Sequence, residues 1–124
     1  MKKKALLFVI IGVFFHIQPL RAQTWQPLKR LTWNAGHSYA PAICADSNNH
    51  IHAVWHDDSK DSNYEIFYKR STNGGEDWTT KRLTNDPEYS DDPAISVDSN
   101  SNIHVIWADE ITGNIEIYYL KGIQ

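Results

Sequence analysis

Hydrophobic and polar positions after Gln23 alternate in short runs, and none of them keeps the three-and-four spacing of a helix. Runs rich in Ile, Val, Tyr, Phe and Trp stop at clusters of Asp, Asn, Ser and Gly roughly every 8 to 12 residues, the rhythm of an all-β protein. This predicts strands at 42–45, 51–56, 64–70 and 78–83, then at 94–97, 103–108 and 115–120. β-branched and aromatic side chains fill these runs because they suit a pleated, half-buried surface. The joining clusters Asp46-Ser-Asn-Asn-His50 and Asp98-Ser-Asn-Ser-Asn102 are turn chemistry, since short Asx side chains bond nearby amides and tolerate positive φ.

The strands come in two sets that copy one another. Lys29-Arg-Leu-Thr32 returns as Lys81-Arg-Leu-Thr84, Pro41-Ala-Ile43 as Pro93-Ala-Ile95 and Asp46-Ser-Asn48 as Asp98-Ser-Asn100, each 52 positions on. Ile51, His52, Trp55 and Asp57 match Ile103, His104, Trp107 and Asp109 at the same offset. One residue is lost from the next loop, so Asn63, Glu65, Ile66 and Tyr68 match Asn114, Glu116, Ile117 and Tyr119 at an offset of 51. Four short antiparallel strands in about 50 residues predict a β-propeller blade. The expected fold is all-β: two four-stranded antiparallel β-propeller blades over 23–124, a partial propeller with repeats at approximately 33–84 and 85–124.

Trp25-Gln-Pro-Leu-Lys-Arg-Leu-Thr32 resembles Trp78-Thr-Thr-Lys-Arg-Leu-Thr84, while the second repeat shows no fourth strand of its own. Residues 24–32 are therefore expected to act as a permuted outer strand that completes the last blade. Three arrangements satisfy this. The strand pairs with another copy in a head-to-tail ring, three chains closing six blades; the chain is part of a longer propeller; or two blades stand alone with open edges. The first two are favoured, because two repeats fall below the number that buries every face.

Composition changes the picture at the N-terminus. Lys2, Lys3 and Lys4 precede an apolar run from Ala5 to Ile17 and a short exit to Ala22, which reads as a signal peptide over 1–22 and predicts a secreted or periplasmic protein. The run is shorter than the roughly 20 residues of a membrane span, so no membrane association is expected after cleavage. Removing Lys2, Lys3, Lys4 and Arg21 takes the formal net charge from −3 to −7. That excludes nucleic acid or an anionic membrane as a partner bound by bulk charge. Cys44, the single cysteine, excludes an internal disulfide and is expected to be a small buried residue.

Between the third and fourth strands lies Ser71-Thr-Asn-Gly-Gly-Glu-Asp-Trp78. It resembles the Asp-box, the bacterial-neuraminidase repeat Ser-x-Asp-x-Gly-x-Thr-Trp of sialidase-like β-propellers. Ser71, Gly75 and Trp78 match, Asn73 stands where the family often has Asp, and Asp77 departs from Thr. The box reads first as a structural turn: Asn73 ties amides, Gly74 and Gly75 allow positive φ, and Trp78 plugs the hairpin. The resemblance implies a sialidase-like fold and raises the question of glycoside hydrolysis, which in the family needs three arginines, a Tyr/Glu pair and an Asp. Arg30, Arg70 and Arg82 stand on outer or third strands and are not expected to converge, so no catalytic residue is assigned. Enzymatic activity is not the expectation.

The loops after the second strands and between the repeats fall on one predicted face, where propellers hold ligands. Trp33, His37, Tyr39, His56, Asp57, Asp58, Tyr89, Asp92, Asp109 and Glu110 are the candidate ligand residues there, as sugar-stacking rings and hydroxyl acceptors. Paired acids of this kind also serve glycoside hydrolysis, a weaker reading than solvated turns. His52 and His104, at one repeat position, are expected to pack. No metal or cofactor is expected. Calcium stays open at Asp98, Asn100, Asn102 and Asp109, although Ile103 replaces the glycine a calcium loop needs. The sequence thus points to a non-catalytic binding or interaction module with glycans or other proteins as partners. A fragment of a sialidase-type hydrolase and a ligand-free structural repeat are the alternatives.

Overall fold

The computed structural model describes Met1 and residues 22–60 and 62–123. The signal-peptide prediction thus falls almost wholly outside the described residues. Seven strands follow in order: β1 (Ser38–Ala45), β2 (Ile51–Asp57), β3 (Glu65–Ser71), β4 (Thr79–Arg82), β5 (Ser90–Val97), β6 (Ile103–Asp109) and β7 (Glu116–Gly122). They form two antiparallel sheets, four strands in the order β1-β2-β3-β4 and three in the order β5-β6-β7. No helix occurs among the described residues, and so none there is long and apolar enough to cross a membrane.

Each sheet is a meander, because each connection is short and carries its own turn residues. In the first hairpin the Asp46 amide donates to the His50 carbonyl and the Asn49 amide to the Asp46 carbonyl, both at 3.0 Å, with Asn49 at φ 61°. Asp98, Asn102 and Ser101 repeat these bonds, and Ser101 sits at φ 63°. A three-residue loop ending in a left-handed residue matches the twist of the flanking strands.

β1 and β5 both begin four residues before the predicted start. Their pairing shifts register between Tyr39 and Ala42 and between Asp91 and Ala94, with Ala40 and Asp92 each at φ 47°. Pro41 and Pro93 follow, and a residue without an amide proton is tolerated where a bulge already interrupts the ladder. The bulge breaks the alternation of side chains, which hides the first half of each strand from a period-two reading.

The core lies between the sheets. Val54, Ile66, Val105 and Trp107 are buried in one cluster, flanked by Ala42, Tyr68, Leu83, Ile95, Ile103 and Tyr118. β5 packs against β1, β2 and β3. Cys44 is half-buried at the edge of this core, and burial pushes its thiol up.

Residues 22–33 form no strand and do not complete the second sheet within the chain. The segment lies on the first sheet instead, held by its cation: Lys29 Nζ donates to the Gly75 and Glu76 carbonyls at 2.9 and 2.6 Å. Lys69 Nζ in turn donates to the Leu31 carbonyl.

Candidate functional site

The sheet junction gathers aromatic side chains from both repeats. Tyr39 from β1 stands 5.9 Å from His37, 5.7 Å from His56 and 6.0 Å from Tyr64, measured between ring centroids. Tyr64 also packs at 4.7 Å on His56 and at 5.4 Å on Tyr89, which enters from the second repeat. Edge-to-face and tilted contacts at these distances suit the ring quadrupole and fix the rings in place. Tyr39 and Tyr89 remain 46% and 45% exposed, so the cluster is a surface and not part of the core.

Two backbone bonds lock the junction. The Ser90 amide donates to the Tyr64 carbonyl at 2.9 Å, and the Asp92 amide donates to His56 Nδ1 at 3.1 Å. The second bond needs Nδ1 unprotonated, so neutral His56 carries its proton on Nε2. The positive φ of Asp92 is what turns its amide onto the ring.

Carboxylates rim the rings. Asp58 accepts the His37 amide at 2.6 Å and pairs with His37 Nδ1 at 3.3 Å, and the amide bond foremost holds its carboxyl below the usual range. Gly36 makes this corner possible, since a Cβ there would stand 2.5 Å from the Ser59 backbone nitrogen. Asp91 is pushed up by burial and by neighbouring Asp92. The Tyr64 phenol is pushed up too, first by burial and then by Tyr39 and Asp58. The surface is therefore aromatic and acidic, and rich in hydrogen-bond acceptors.

Six of the ten predicted ligand residues meet here: His37, Tyr39, His56, Asp58, Tyr89 and Asp92. Tyr64 belongs to the same surface but was not predicted, because it reads as an ordinary strand start. Asp91, one of the paired acids expected on the ligand face, joins the surface at the bulge of β5.

Asp57 and Asp109 do not belong to that surface. Both are buried and saturated by their own chain, 1% and 3% exposed. Asp57 accepts Asn34 Nδ2 at 2.5 Å, Ser38 Oγ at 2.6 Å, Trp55 Nε1 at 3.2 Å and the Ser59 amide at 2.8 Å. Asp109 repeats the arrangement with Ser90 Oγ at 2.9 Å, Trp107 Nε1 at 2.8 Å and the Ile111 amide at 3.0 Å. These carboxylates close the ends of β2 and β6. Trp33 lies apart, under Lys69 Nζ at 5.5 Å and Arg30 Cζ at 5.9 Å. Glu110 joins the junction by its backbone, its amide donating to the Tyr89 carbonyl at 3.1 Å.

The turn that resembles the Asp-box is held by its own side chains. Ser71 Oγ accepts the Gly75 amide at 2.8 Å, Asn73 Oδ1 accepts the Asp77 amide at 2.9 Å, and Asn73 Nδ2 donates to Asp77 Oδ2 at 2.9 Å. Trp78 Nε1 donates to the Gly75 carbonyl at 2.9 Å, and Gly74 and Gly75 sit at φ 70° and 90°. These bonds close within the turn, as a fold-stabilising element requires, and the Gly75 and Glu76 carbonyls accept in addition from Lys29 of the N-terminal segment.

A second repeated network runs along the sheets. His52 Nε2 donates to Asp46 Oδ2 at 3.3 Å, and its Nδ1 meets the Tyr68 hydroxyl at 2.7 Å. His104 repeats this with Asp98 at 3.0 Å and Tyr119 at 2.8 Å. Burial holds His52 down, towards the neutral form, so the Tyr68 hydroxyl is the donor and its phenol is pushed up to about 12, chiefly by burial. Asp98 also accepts the Asn100 and Asn102 amides, both at 2.9 Å. Asp98 and Asp109, the two acids of the calcium reading, serve these separate networks. No group of three or more His, Cys, Asp or Glu that could hold a metal occurs among the described residues.

The sequence matches no protein-family model and no curated protein.

Proposed function

We propose that this chain is a secreted or periplasmic, non-catalytic binding module of the Asp-box, sialidase-like β-propeller type, and that its junction surface binds carbohydrate. The observation that carries the reading is the Tyr39, Tyr64 and Tyr89 cluster rimmed by Asp58, Asp91 and Asp92. Tyrosine faces receive the C–H face of a sugar ring, and carboxylates accept from its hydroxyls, so one arrangement serves both sides of the ligand. The same acids repel a carboxylate, which favours a neutral glycan over a sialoside. The arginines that would hold a sialic acid are engaged elsewhere: Arg82 Nη2 with Glu65 at 2.6 Å, Arg70 Nη2 with His50 at 3.0 Å, and Arg30 Nε with the Thr32 carbonyl at 2.5 Å.

A glycan array probed with the full chain tests this. Neutral glycans are expected to bind, and Tyr64→Ala or Tyr89→Ala to weaken binding at least tenfold, since each substitution removes an aromatic face that would stack on the sugar ring. An empty array, or binding unaltered by both substitutions, removes the reading. Release of sugar from a fluorogenic sialoside would replace it with the sialidase-fragment alternative.

A further inference from the structure

The contact between the two sheets has halves that are both present a second time, uncovered. Within the chain Ile95 of β5 packs on the core of Val54 and Ile66, and Asn63 Nδ2 donates to the carbonyls of Asp86 and Glu88 at 2.9 and 2.8 Å. In the first sheet β1 holds the place of β5, yet its Ile43, the repeat partner of Ile95, is 69% exposed. In the second sheet β7 holds the place of β3, yet its Ile117, the repeat partner of fully buried Ile66, is 70% exposed. One side of the molecule thus presents what β5 presents, and the opposite side presents what receives it.

The outer edge carries the same imbalance, and here charge decides the partner. β3 binds β4 with Phe67 opposite Arg82 and Tyr68 opposite Lys81, extended by the Leu83 amide on the Ile66 carbonyl at 2.7 Å. Buried Glu65 takes Arg82 Nη2 at 2.6 Å and the Thr84 hydroxyl. Glu116 holds the place of Glu65 on β7, exposed and without a partner among the described residues. Arg30, Leu31 and Thr32 hold the places of Arg82, Leu83 and Thr84 in a segment that pairs with no strand. Arg30 Nε reaches the Thr32 carbonyl at 2.5 Å as Arg82 Nε reaches that of Thr84 at 2.8 Å, so the segment already has the local shape of the end of β4.

We propose that a second copy of this chain covers β7, adding its residues 27–32 as the fourth strand of the second sheet and seating its Ile43 over Ile117. The repeat sets the register: Tyr118 opposite Arg30, Tyr119 opposite Lys29, the Leu31 amide on the Ile117 carbonyl, and Arg30 with Thr32 on Glu116. Asn114, the partner of Asn63, reaches the carbonyls of Asn34 and Gly36. Lys29 and Lys69 hold the segment on its own first sheet through side chains, which leaves its strand edge to the incoming β7. The contact is heterologous, so each copy offers the side its neighbour needs.

Light scattering after size exclusion, over two decades of concentration of the full chain, reads the outcome. A mass that is a multiple of one chain is expected, and a monomer throughout overturns the proposal. Arg30→Glu and Glu116→Arg each place like charges together and are expected to weaken assembly at least tenfold, while the double exchange restores it. Both positions are exposed and outside the core, so far-ultraviolet circular dichroism should not change. Failure of the double exchange to restore the mass overturns the register. Neither residue touches the aromatic surface, so this result and the glycan result stand apart.

Discussion

At the scale of single residues, acids divide by what their surroundings do to the proton. Asp46 and Asp98 have carboxyls held well below the ordinary value of 3.8. At Asp46 the penalty of burial is outweighed by amide bonds from His50 and Asn48, and at Asp98 the largest contribution is the Asn102 side chain. Their stabilisation is complete above the ordinary value and is lost as pH falls from there through the folded values. Asp86 and Asp91 run the other way, raised by burial, so each is relieved as pH falls through its folded value above 3.8. Urea unfolding is therefore expected to show greatest stability in mildly acid solution, declining below about pH 4. Asp46→Asn should flatten that decline and Asp86→Asn the rise, and a variant whose curve parallels the parent across the range would refute the assignment. At Gly75 the cost of a side chain is conformational: a Cβ would meet only ordinary contacts with Ile51 and Trp78, but φ is 90°. Gly75→Ala should cost about 1 to 2 kcal/mol in thermal or urea unfolding. A neutral substitution would show that the turn relaxes.

At the scale of elements, equal letters take unequal roles. Ile66 on β3 is wholly buried, and Ile66→Ala is expected to cost about 3 kcal/mol in unfolding free energy. Ile117 on β7 likewise follows a glutamate and precedes an aromatic residue, yet has most of its surface in water. Ile117→Ala should change unfolding of the dilute single chain by no more than about 0.5 kcal/mol. Its cost should appear instead as weaker assembly in the dilution series. Equal losses at both positions in dilute solution would mean that β7 is covered within the chain. The seven strands, the turn carrying Gly74 and Gly75 and the match between repeats were legible, because alternation and turn residues are local properties. The bulges at Ala40 and Asp92 were not, since any residue can take that φ when the surrounding sheet over-determines it.

For the whole molecule, the sequence by itself determined an all-β chain of two copied units, their strand order and the turn chemistry that closes each hairpin. It also singled out His37, Tyr39, His56, Asp58, Tyr89 and Asp92 as candidates for loops of one face, although Tyr39, His56 and Asp92 lie within β1, β2 and β5. Only the tertiary structure decided which of them meet. Distances between side chains from different repeats depend on how β5 packs on the first sheet, and no local spacing encodes that packing. The same packing withdrew Asp57 and Asp109 into buried bonds with Trp55 and Trp107, because a carboxylate at a strand end is satisfied first by the donors nearest to it. It brought Tyr64 into the surface through its bond with Ser90, and it left Glu116 exposed where its twin Glu65 is buried. Letters that repeat specify a shape, and their neighbours in space decide whether that shape is covered.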